Sequence, residues 1–535
     1  MKLTQRPNIL IFIPDEMRGE VITNTSIQMP NVRGLQDDGG IIFTHNFSVN
    51  PVCAPSRICT FTGQFPHNGG HRSLYQLLRP REENLFHILK QEGYEVVWIG
   101  RNDLFHENSI RESISKRKSV SKHTIIKIIK EGMKKFGIVK IIKAIHKIRK
   151  MEYSQNDADK PEIQHLLNTF FGLNPHSTDS KWFNSFYFGK VSSEKAKESI
   201  DIDYVNQAVK YLEHYAKTPK KSKKPFCLYI AINNPHPPYQ VEEPYFSMYD
   251  RSKIRSPYPF SLEEEERKKK PLYANRMHTL YRLNEFSEEE LREVLAVYYG
   301  MCTKVDHLFG QILKKLKETG LYDSTIINFF ADHGDYAGSY GLTEKWPTGM
   351  EDALLNVPLV VRVPMMAPKT SVLHALTQTI DVFPTILEIV GIEHPYTHFG
   401  KSLLPILKGE KEFHRESIHA EGGYDVREPQ AFEIIPQSPS TPGMGIYYIK
   451  TKTQRENPTI VCRTAMWRTS RWKLTLRSHP DAIEELYDLE NDPGETINLF
   501  YNSKYQEIIR ELKEDMLQWY IRTSDNPYYQ QKREG

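Results

Sequence analysis

The sequence predicts an α/β fold, a large, mostly parallel sheet between helices, followed by a small α+β domain. Three observations predict it. Apolar runs of strand length recur through the first 330 residues, and each breaks directly into ionisable residues. Capped, amphipathic helical stretches lie between these runs. Beyond residue 410 the rhythm changes to short strands, turns and one closing helix.

The first run is Asn8-Ile9-Leu10-Ile11-Phe12-Ile13, which breaks into Pro14-Asp15-Glu16. A continuous apolar run suits a strand buried on both faces, as a parallel sheet requires. Polar residues just past such strands lie where open α/β sheets place their sites. The form recurs three times. Residues 95–99 run into Gly100-Arg101-Asn102-Asp103, residues 226–232 into Asn233-Asn234-Pro235-His236, and residues 325–330 into Asp332-His333-Gly334-Asp335. Residues 358–364 form a further strand. Four strand ends that deliver ionisable groups to one edge argue for an active site, where a single end would mean little.

Ser287 with Glu290 reads as a capping box. It opens a helix through about Lys315, with Leu291, Leu295, Tyr298, Cys302, Val305 and Leu308 on the face that packs on the sheet. Residues 381–391 read as a second packed helix ending at Gly391. Residues 106–200 interrupt the rhythm. Within them, residues 116–150 are densely basic with recurring Ile doublets, and read as one or two amphipathic helices of an insertion near the site's rim. The Lys-rich face is read as a solvated outer face, with a membrane surface or an acidic partner as the alternative. Residues 252–286 read as a polar, Glu/Lys-rich loop. The expected domains are 1–415, catalytic, and 416–535, small and α+β. In the latter, residues 464–474 form a hairpin and 485–495 a strand and turn. Tyr505, Ile508, Ile509, Leu512, Met516 and Trp519 then mark one face of the last helix.

Composition sets the outer limits. At 535 residues the chain exceeds one ordinary domain. A formal charge of +4 is small for this size and gives no argument for nucleic acid. No apolar run spans a bilayer, so no transmembrane segment is expected. The first residues lack the apolar core of a signal peptide, so a cytoplasmic location is expected. Five cysteines (53, 59, 227, 302 and 462) are few and scattered, which fits a reducing compartment without a disulfide framework.

Cys53-Ala54-Pro55-Ser56-Arg57, continuing to Thr62-Gly63, is the stretch that organises the rest. Pro55 restrains the turn that follows the thiol. Ser56 is expected to cap a short helix over residues 58–61, which Gly63 ends. Cys53 then sits beside a helix N-terminus, where N–H groups favour anions, and Arg57 offers a fixed fork of donors to oxyanions.

This string resembles the signature of the formylglycine-dependent sulfatases of the alkaline phosphatase superfamily, in which this Cys is oxidised to an aldehyde. The resemblance extends over nearly the whole chain. It takes in residues 7–15, Met29-Pro30-Asn31-Val32, Asp332-His333-Gly334, Gly341-Leu342 with Lys345, Asn356-Val357-Pro358-Leu359, Gly400-Lys401-Ser402-Leu403-Leu404-Pro405 and residues 486–499. It implies an alkaline-phosphatase-like sandwich with a small C-terminal sheet domain.

As the resemblance implies, Asp15, Asp332 and His333 are metal ligands, Glu16 stands in the place of a second acidic ligand, and modified Cys53 completes the set. Glu16, one methylene longer than the Asp often found there, either reaches the metal or falls one layer behind it. The oxygen-rich donors suit one divalent ion, Ca²⁺ first, with Mg²⁺ or Mn²⁺ compatible. A hydrated aldehyde at Cys53 presents two hydroxyls on one carbon. The metal and Arg57 are expected to favour deprotonation of one, which attacks sulfur and expels the alcohol; the other then loses its proton, and the aldehyde re-forms as sulfate leaves. His236 and Lys345 resemble the groups that hold the sulfate and protonate the leaving oxygen. Maturation requires a formylglycine-generating partner.

One departure stands out. Many sulfatases carry Gly-Lys-x-His after the second strand, where this chain has Gly100-Arg101-Asn102-Asp103. Arg101 keeps a cation with a planar fork and is expected to bind substrate. Asp103 would repel an anion unless Arg101, the metal or a substrate hydroxyl engages it, and the pair points to a distinctive substrate subsite. The expected activity is hydrolysis of a sulfate monoester. Phosphonate monoester or phosphodiester hydrolysis is the alternative within the superfamily, and an inactive binding homologue is the alternative outside enzymes. Small sulfated saccharides suit a cytoplasmic location better than intact polymers.

Overall fold

A computed structural model of the chain describes residues 6–118, 174–255 except 178 and 198, 258–259, 268–393, 396–428 and 445–524. Among the described residues its main sheet has eight strands: β1 (Asn8–Asp15), β2 (Gly40–Phe43), β3 (Glu95–Gly100), β4 (Lys116–Lys118), β5 (Phe226–Pro235), β6 (Thr325–Phe330), β7 (Leu359–Arg362) and β8 (Val372–Leu373). Their order across the sheet is β8-β2-β7-β6-β1-β5-β3-β4. β1 lies at the centre, parallel to β5 and β6, and β3 is parallel to β5 and β4. β7 alone runs antiparallel to both its neighbours, β6 and β2.

The continuous apolar strands are buried on both faces. Leu10 and Phe12 of β1 face a core shared with α2 (Ile200–Ala216) and the long helix Glu288–Glu318, through Val205, Leu212, Val305 and Phe309. Ile9, Ile11 and Ile13 face the opposite core, shared with α1 (Cys53–Thr62) and the helix Val382–Val390, through Ile58, Phe61, Phe383 and Ile386. Alternation along a strand divides its side chains between two helical layers. Both layers hold the same strand ends in place.

Longer helices elsewhere among the described residues include α3 (Leu272–Leu280), α4 (Glu288–Glu318), α5 (Val382–Val390), α6 (Tyr448–Glu456) and α7 (Gln506–Thr523). The capping box opens α4 as its sequence indicates: the Glu290 N–H donates to Ser287 Oγ, and Ser287 N–H to Glu290 Oε2. The antiparallel C-terminal sheet comprises β9 (Ile418–Gly422), β10 (Thr464–Arg468), β11 (Trp472–Arg477) and β12 (Glu485–Asp488), in that order. Trp467, Leu474 and Leu486 of this sheet pack on Ile509, Leu512, Met516 and Trp519 of α7. The architecture is the sandwich expected, with a large mixed, mostly parallel sheet and a small C-terminal sheet.

Four local expectations are corrected. Residues 252–286 are not simply a loop. Leu272–Leu280 is helical because Tyr273, Ala274 and Met277 share a face that reaches the core. Lys116–Lys118 is not helical but forms β4, the outermost strand among the described residues, a place where charged side chains are tolerated. The rest of the basic stretch lies outside the described residues. The end of the supposed insertion belongs to the fold, because Tyr187–Val191 pairs with Tyr239–Glu242 and Ile200 opens α2. The helix after the cysteine begins at Cys53, with Val52 as its extended cap, so Ser56 lies inside it. Pro55 is compatible with that start because a first-turn residue has no intrahelical N–H partner to lose. The expected C-terminal stop holds: Gly63 takes φ +69°, and a Cβ there would lie 2.7 Å from His398 Cβ.

Candidate active site

The parallel strands β1, β3, β5 and β6 end at one edge and deliver Asp15, Arg101, His236 and Asp332 there. The backbone must turn sharply off β3 to do so. Gly100 has φ +108°, and a Cβ would stand 1.9 Å from the Ala231 carbonyl oxygen, a position open only to glycine. Off β5, Asp201 of α2 braces the loop that carries His236. Its carboxylate accepts from the backbone N–H and side-chain amide of both Asn233 and Asn234, at 2.5–2.9 Å. Off β1, Glu16 takes φ +70°. It is pinned by its N–H donating to Asp332 Oδ1 (3.1 Å) and by Tyr298 Oη donating to its carbonyl (2.8 Å).

α1 brings its first residue into this edge. Cys53 Sγ lies 3.2 Å from His333 Nε2 and 3.5 Å from Asp15 Oδ1, fully buried. His333 Nδ1 faces the Gly334 carbonyl at 2.8 Å, so the ring donates there and turns an unprotonated Nε2 to Cys53. Ser56, one turn on, donates its hydroxyl to the Asp332 carbonyl at 2.6 Å and so ties the helix to β6. Arg57 is 1% exposed and serves three carboxylates: Asp332 Oδ2 at 2.8 Å, Asp15 Oδ2 at 3.0 Å and Asp103 Oδ2 at 3.3 Å. Arg101 pairs with Asp15 at 2.5 Å and with Asp103 at 2.8 Å. The carboxylate that would have repelled an anion is thus engaged by two guanidinium groups.

The second wall is built around Lys345. Its Nζ donates to Glu16 Oε2 (2.9 Å), Glu344 Oε1 (2.9 Å) and His236 Nε2 (3.1 Å). His236 Nδ1 faces the Pro237 carbonyl at 2.7 Å. Tyr239 Oη donates to Asp335 Oδ1 (2.5 Å) and accepts from the Glu344 N–H (2.7 Å). Lys450 of α6 reaches Glu344 Oε2 at 2.6 Å.

Charge decides how these groups titrate. Burial alone would raise Asp15, but Arg101 and Arg57 bring it down to about 2. Burial, with the Asp15 carboxylate, pushes the Cys53 thiol well above its ordinary value. Burial and the Lys345 and Arg101 charges hold His236 well below 6.5, a neutral imidazole. Glu16 is raised well above 4.5, first by burial and then, against Lys345, by the carboxylates of Asp335, Glu344 and Asp15. Asp335 is raised to about 6 by burial.

The donor set fits a divalent cation. Ligand atoms of Asp15, Cys53, Asp332 and His333 lie within 4.8 Å of one another, and those of Asp15, Glu16 and His236 form a second such group. Among the described residues, the buried atoms Glu16 Oε1 and Asp335 Oδ2 have no hydrogen-bond partner. Six carboxylates (Asp15, Glu16, Asp103, Asp332, Asp335, Glu344) face four cations (Arg57, Arg101, Lys345, Lys450). One divalent ion would balance the excess, and oxygen donors with one imidazole suit it.

Residues 7–392 match the family model described as Sulfatase. The chain belongs to the sulfatase family. It is therefore an enzyme of the sulfuric ester hydrolase class. Relatives span most of its length. The multifunctional alkaline phosphatase superfamily protein PehA of Trinickia caryophylli is 24% identical over 97% of this chain and 96% of its own. Arylsulfatase K of Gallus gallus is 24% identical over 95% of this chain and 81% of its own. Among solved structures, a phosphonate monoester hydrolase of Agrobacterium radiobacter superposes with a TM-score of 0.72 at 20% identity, covering 97% of this chain and 96% of that one. This likeness concerns the fold.

In this sulfatase every site residue expected from sequence lies at the one edge. They divide into two groups: Cys53, Arg57, Arg101, Asp103, Asp15, Asp332 and His333 around the thiol, and Glu16, His236 and Lys345 around the ammonium. Sequence reasoning missed Glu344, Tyr239, Asp201 and Lys450, and named Asp335 at its strand end without a role. Glu344 and Asp335 adjoin motif residues, which was their one visible signal. Asp201 and Lys450 carry none, because a charged residue on an amphipathic helix reads as surface. All four strongly charged members of this group are buried.

Proposed function

We propose that this sulfatase cleaves a sulfate monoester to an alcohol and sulfate at position 53, with Cys53 converted to formylglycine and one divalent cation held by Asp15, Asp332 and His333. The observation that carries the reading is the setting of Cys53: first residue of a buried helix, against His333 Nε2 and Asp15, with its thiol pushed up by burial. A thiol held protonated is a poor nucleophile, so the position suits a modified side chain better than a thiolate. Hydrated formylglycine with a divalent cation, Ca²⁺ first and Mg²⁺ or Mn²⁺ compatible, supplies a nucleophilic hydroxyl, a second hydroxyl for release of sulfate, and positive charge beside both.

The chain's own residues orient these events. Arg57 fixes the facing carboxylates of Asp15 and Asp332, and its position behind them keeps it from solvent. Arg101 stands at the mouth, 24% exposed, with a planar fork for a sulfate oxygen. Lys345 holds another sulfate oxygen. His236 Nε2 accepts from the Lys345 ammonium at 3.1 Å, so the proton that the departing alcohol oxygen needs comes from Lys345, directly or relayed through His236. A formylglycine-generating enzyme matures Cys53.

Mass spectrometry of the tryptic peptide covering residues 34–57, from protein made in its native host, tests the reading. An aldehyde at position 53 with turnover of sulfate monoesters supports it; turnover that survives Cys53→Ala overturns it. Hydrolysis of phosphonate monoesters or phosphodiesters is a second reading, which Arg101-Asp103 in place of Lys-x-His leaves open. Rates on a sulfate monoester against a phosphate diester separate the two.

A further inference from the structure

Lys450 lies on α6, far along the chain from every motif, and is 2% exposed. A buried ammonium is costly unless paired. Its partner is Glu344 Oε2 at 2.6 Å. Glu344 is itself held in a demanding position, with φ +62° and its N–H donating to Tyr239 Oη. One carboxylate therefore joins two lysines. Oε2 accepts from Lys450 Nζ and from the Lys345 backbone N–H (2.8 Å), and Oε1 accepts from Lys345 Nζ. Burial would raise the Glu344 carboxyl, yet Lys345 and Lys450 hold it down to about 2, so it is a full negative charge.

The charge accounting gives Lys450 a purpose. A Glu344–Lys345 pair alone is neutral and would offer little to an anion. With Lys450 on the same carboxylate, the group of three keeps one positive charge once a divalent cation balances Glu16, the other carboxylate on Lys345. Lys345 is the member that faces His236 and Glu16 at the strand edge. We propose that Lys450 is a positioning residue: by occupying Glu344 it fixes the ammonium of Lys345 and preserves its charge for the sulfate group. This rests on the reading of Lys345 as a sulfate-holding residue. Neither the Cys53 motif nor the strand-end pattern signals it.

The test is calorimetric binding of inorganic sulfate to the metal-loaded full chain, for wild type, Lys450→Met, Lys450→Arg, Glu344→Gln and the Lys450→Met/Glu344→Gln double variant. Loss of one charge-assisted partner predicts a roughly ten- to hundredfold weaker affinity for Lys450→Met. Lys450→Arg retains affinity to within about fivefold. The double variant recovers to within about threefold of Glu344→Gln, since removing the carboxylate removes the need for its counter-charge. A structural role alone would not give that recovery. Should Lys450→Met fail to fold, Lys450→Arg and the double variant, whose facing pair is neutral, carry the comparison. Sulfate affinity unchanged in Lys450→Met, or effects of the two substitutions that simply add, would overturn the proposal with the activity intact. Wild type that binds sulfate yet hydrolyses no sulfate ester would instead strike the functional reading and leave the role of Lys450 standing. Wild type that binds no sulfate would overturn both.

Discussion

Replacing Arg57 by Met keeps most of its length and removes its charge. The guanidinium is 1% exposed and bridges Asp332, Asp15 and Asp103. Removing one partner of a buried pair costs about 3–5 kcal/mol, because the other charge is left uncompensated. The three losses do not add. Asp15 and Asp103 both keep Arg101, at 2.5 and 2.8 Å, whereas Asp332 Oδ2 loses its ion partner outright. Asp332 Oδ1 retains the N–H groups of Glu16 and His333. The expected loss in chelator is therefore near the lower end, about 3 kcal/mol, which moves a urea midpoint by about 1 M for an m-value near 3 kcal/mol/M. Ca²⁺ at about a hundred times its dissociation constant adds about 2.7 kcal/mol to any fold it binds. The variant is expected to gain at least as much as wild type, since the cation then takes over the charge Arg57 supplied. Urea unfolding of both proteins in EDTA and in Ca²⁺ measures each quantity. A variant within about 1 kcal/mol of wild type in EDTA would refute the argument that Arg57 balances these carboxylates.

Three further outcomes are expected. Asp201→Ala frees the loop that carries His236; kcat should fall about a hundredfold on a misplaced proton carrier, with metal affinity unchanged, as steady-state rates and Ca²⁺ titration will show. Ser287→Ala removes the cap of α4 and should cost about 1 kcal/mol of unfolding free energy by urea titration, with kcat unchanged. Asp381 is fully buried; burial would raise its carboxyl, but Arg415 and His414 hold it well below the ordinary value. A depressed folded value means that its contribution is present above the unfolded carboxylate range and is lost as pH falls through and below that range. Asp381→Asn should therefore lower stability at pH 7 and flatten the acid limb of a stability–pH profile.

Much of the site was legible because its parts sit at the ends of strands whose apolar runs are unambiguous. Asp15, His236 and Asp332 follow such runs within four residues, and parallel strands bring those ends together. The local errors share one cause. Leu272–Leu280 was hidden in a polar stretch whose few apolar positions, Tyr273 and Met277, find their partners far away in the chain. Lys116–Lys118 is a strand only because β3 offers it an open edge. Ser56 is a residue type preferred at caps, but its hydroxyl is drawn to the Asp332 carbonyl and the helix starts three residues earlier.

By itself the sequence determined the class of fold, the edge where chemistry gathers, and the Cys53–Gly63 stretch around which it gathers. These follow from short-range physics: apolar periodicity, strand ends, and the backbone demands of proline and glycine. Only the tertiary structure decided how the charges divide. It turned Asp103 from a repelling group into one clasped by Arg57 and Arg101, placed Glu16 against Lys345 and His236, and brought Lys450 to Glu344 across 106 residues. Pairing of buried charges depends on distance in space, and a linear chain does not contain that distance until it has folded.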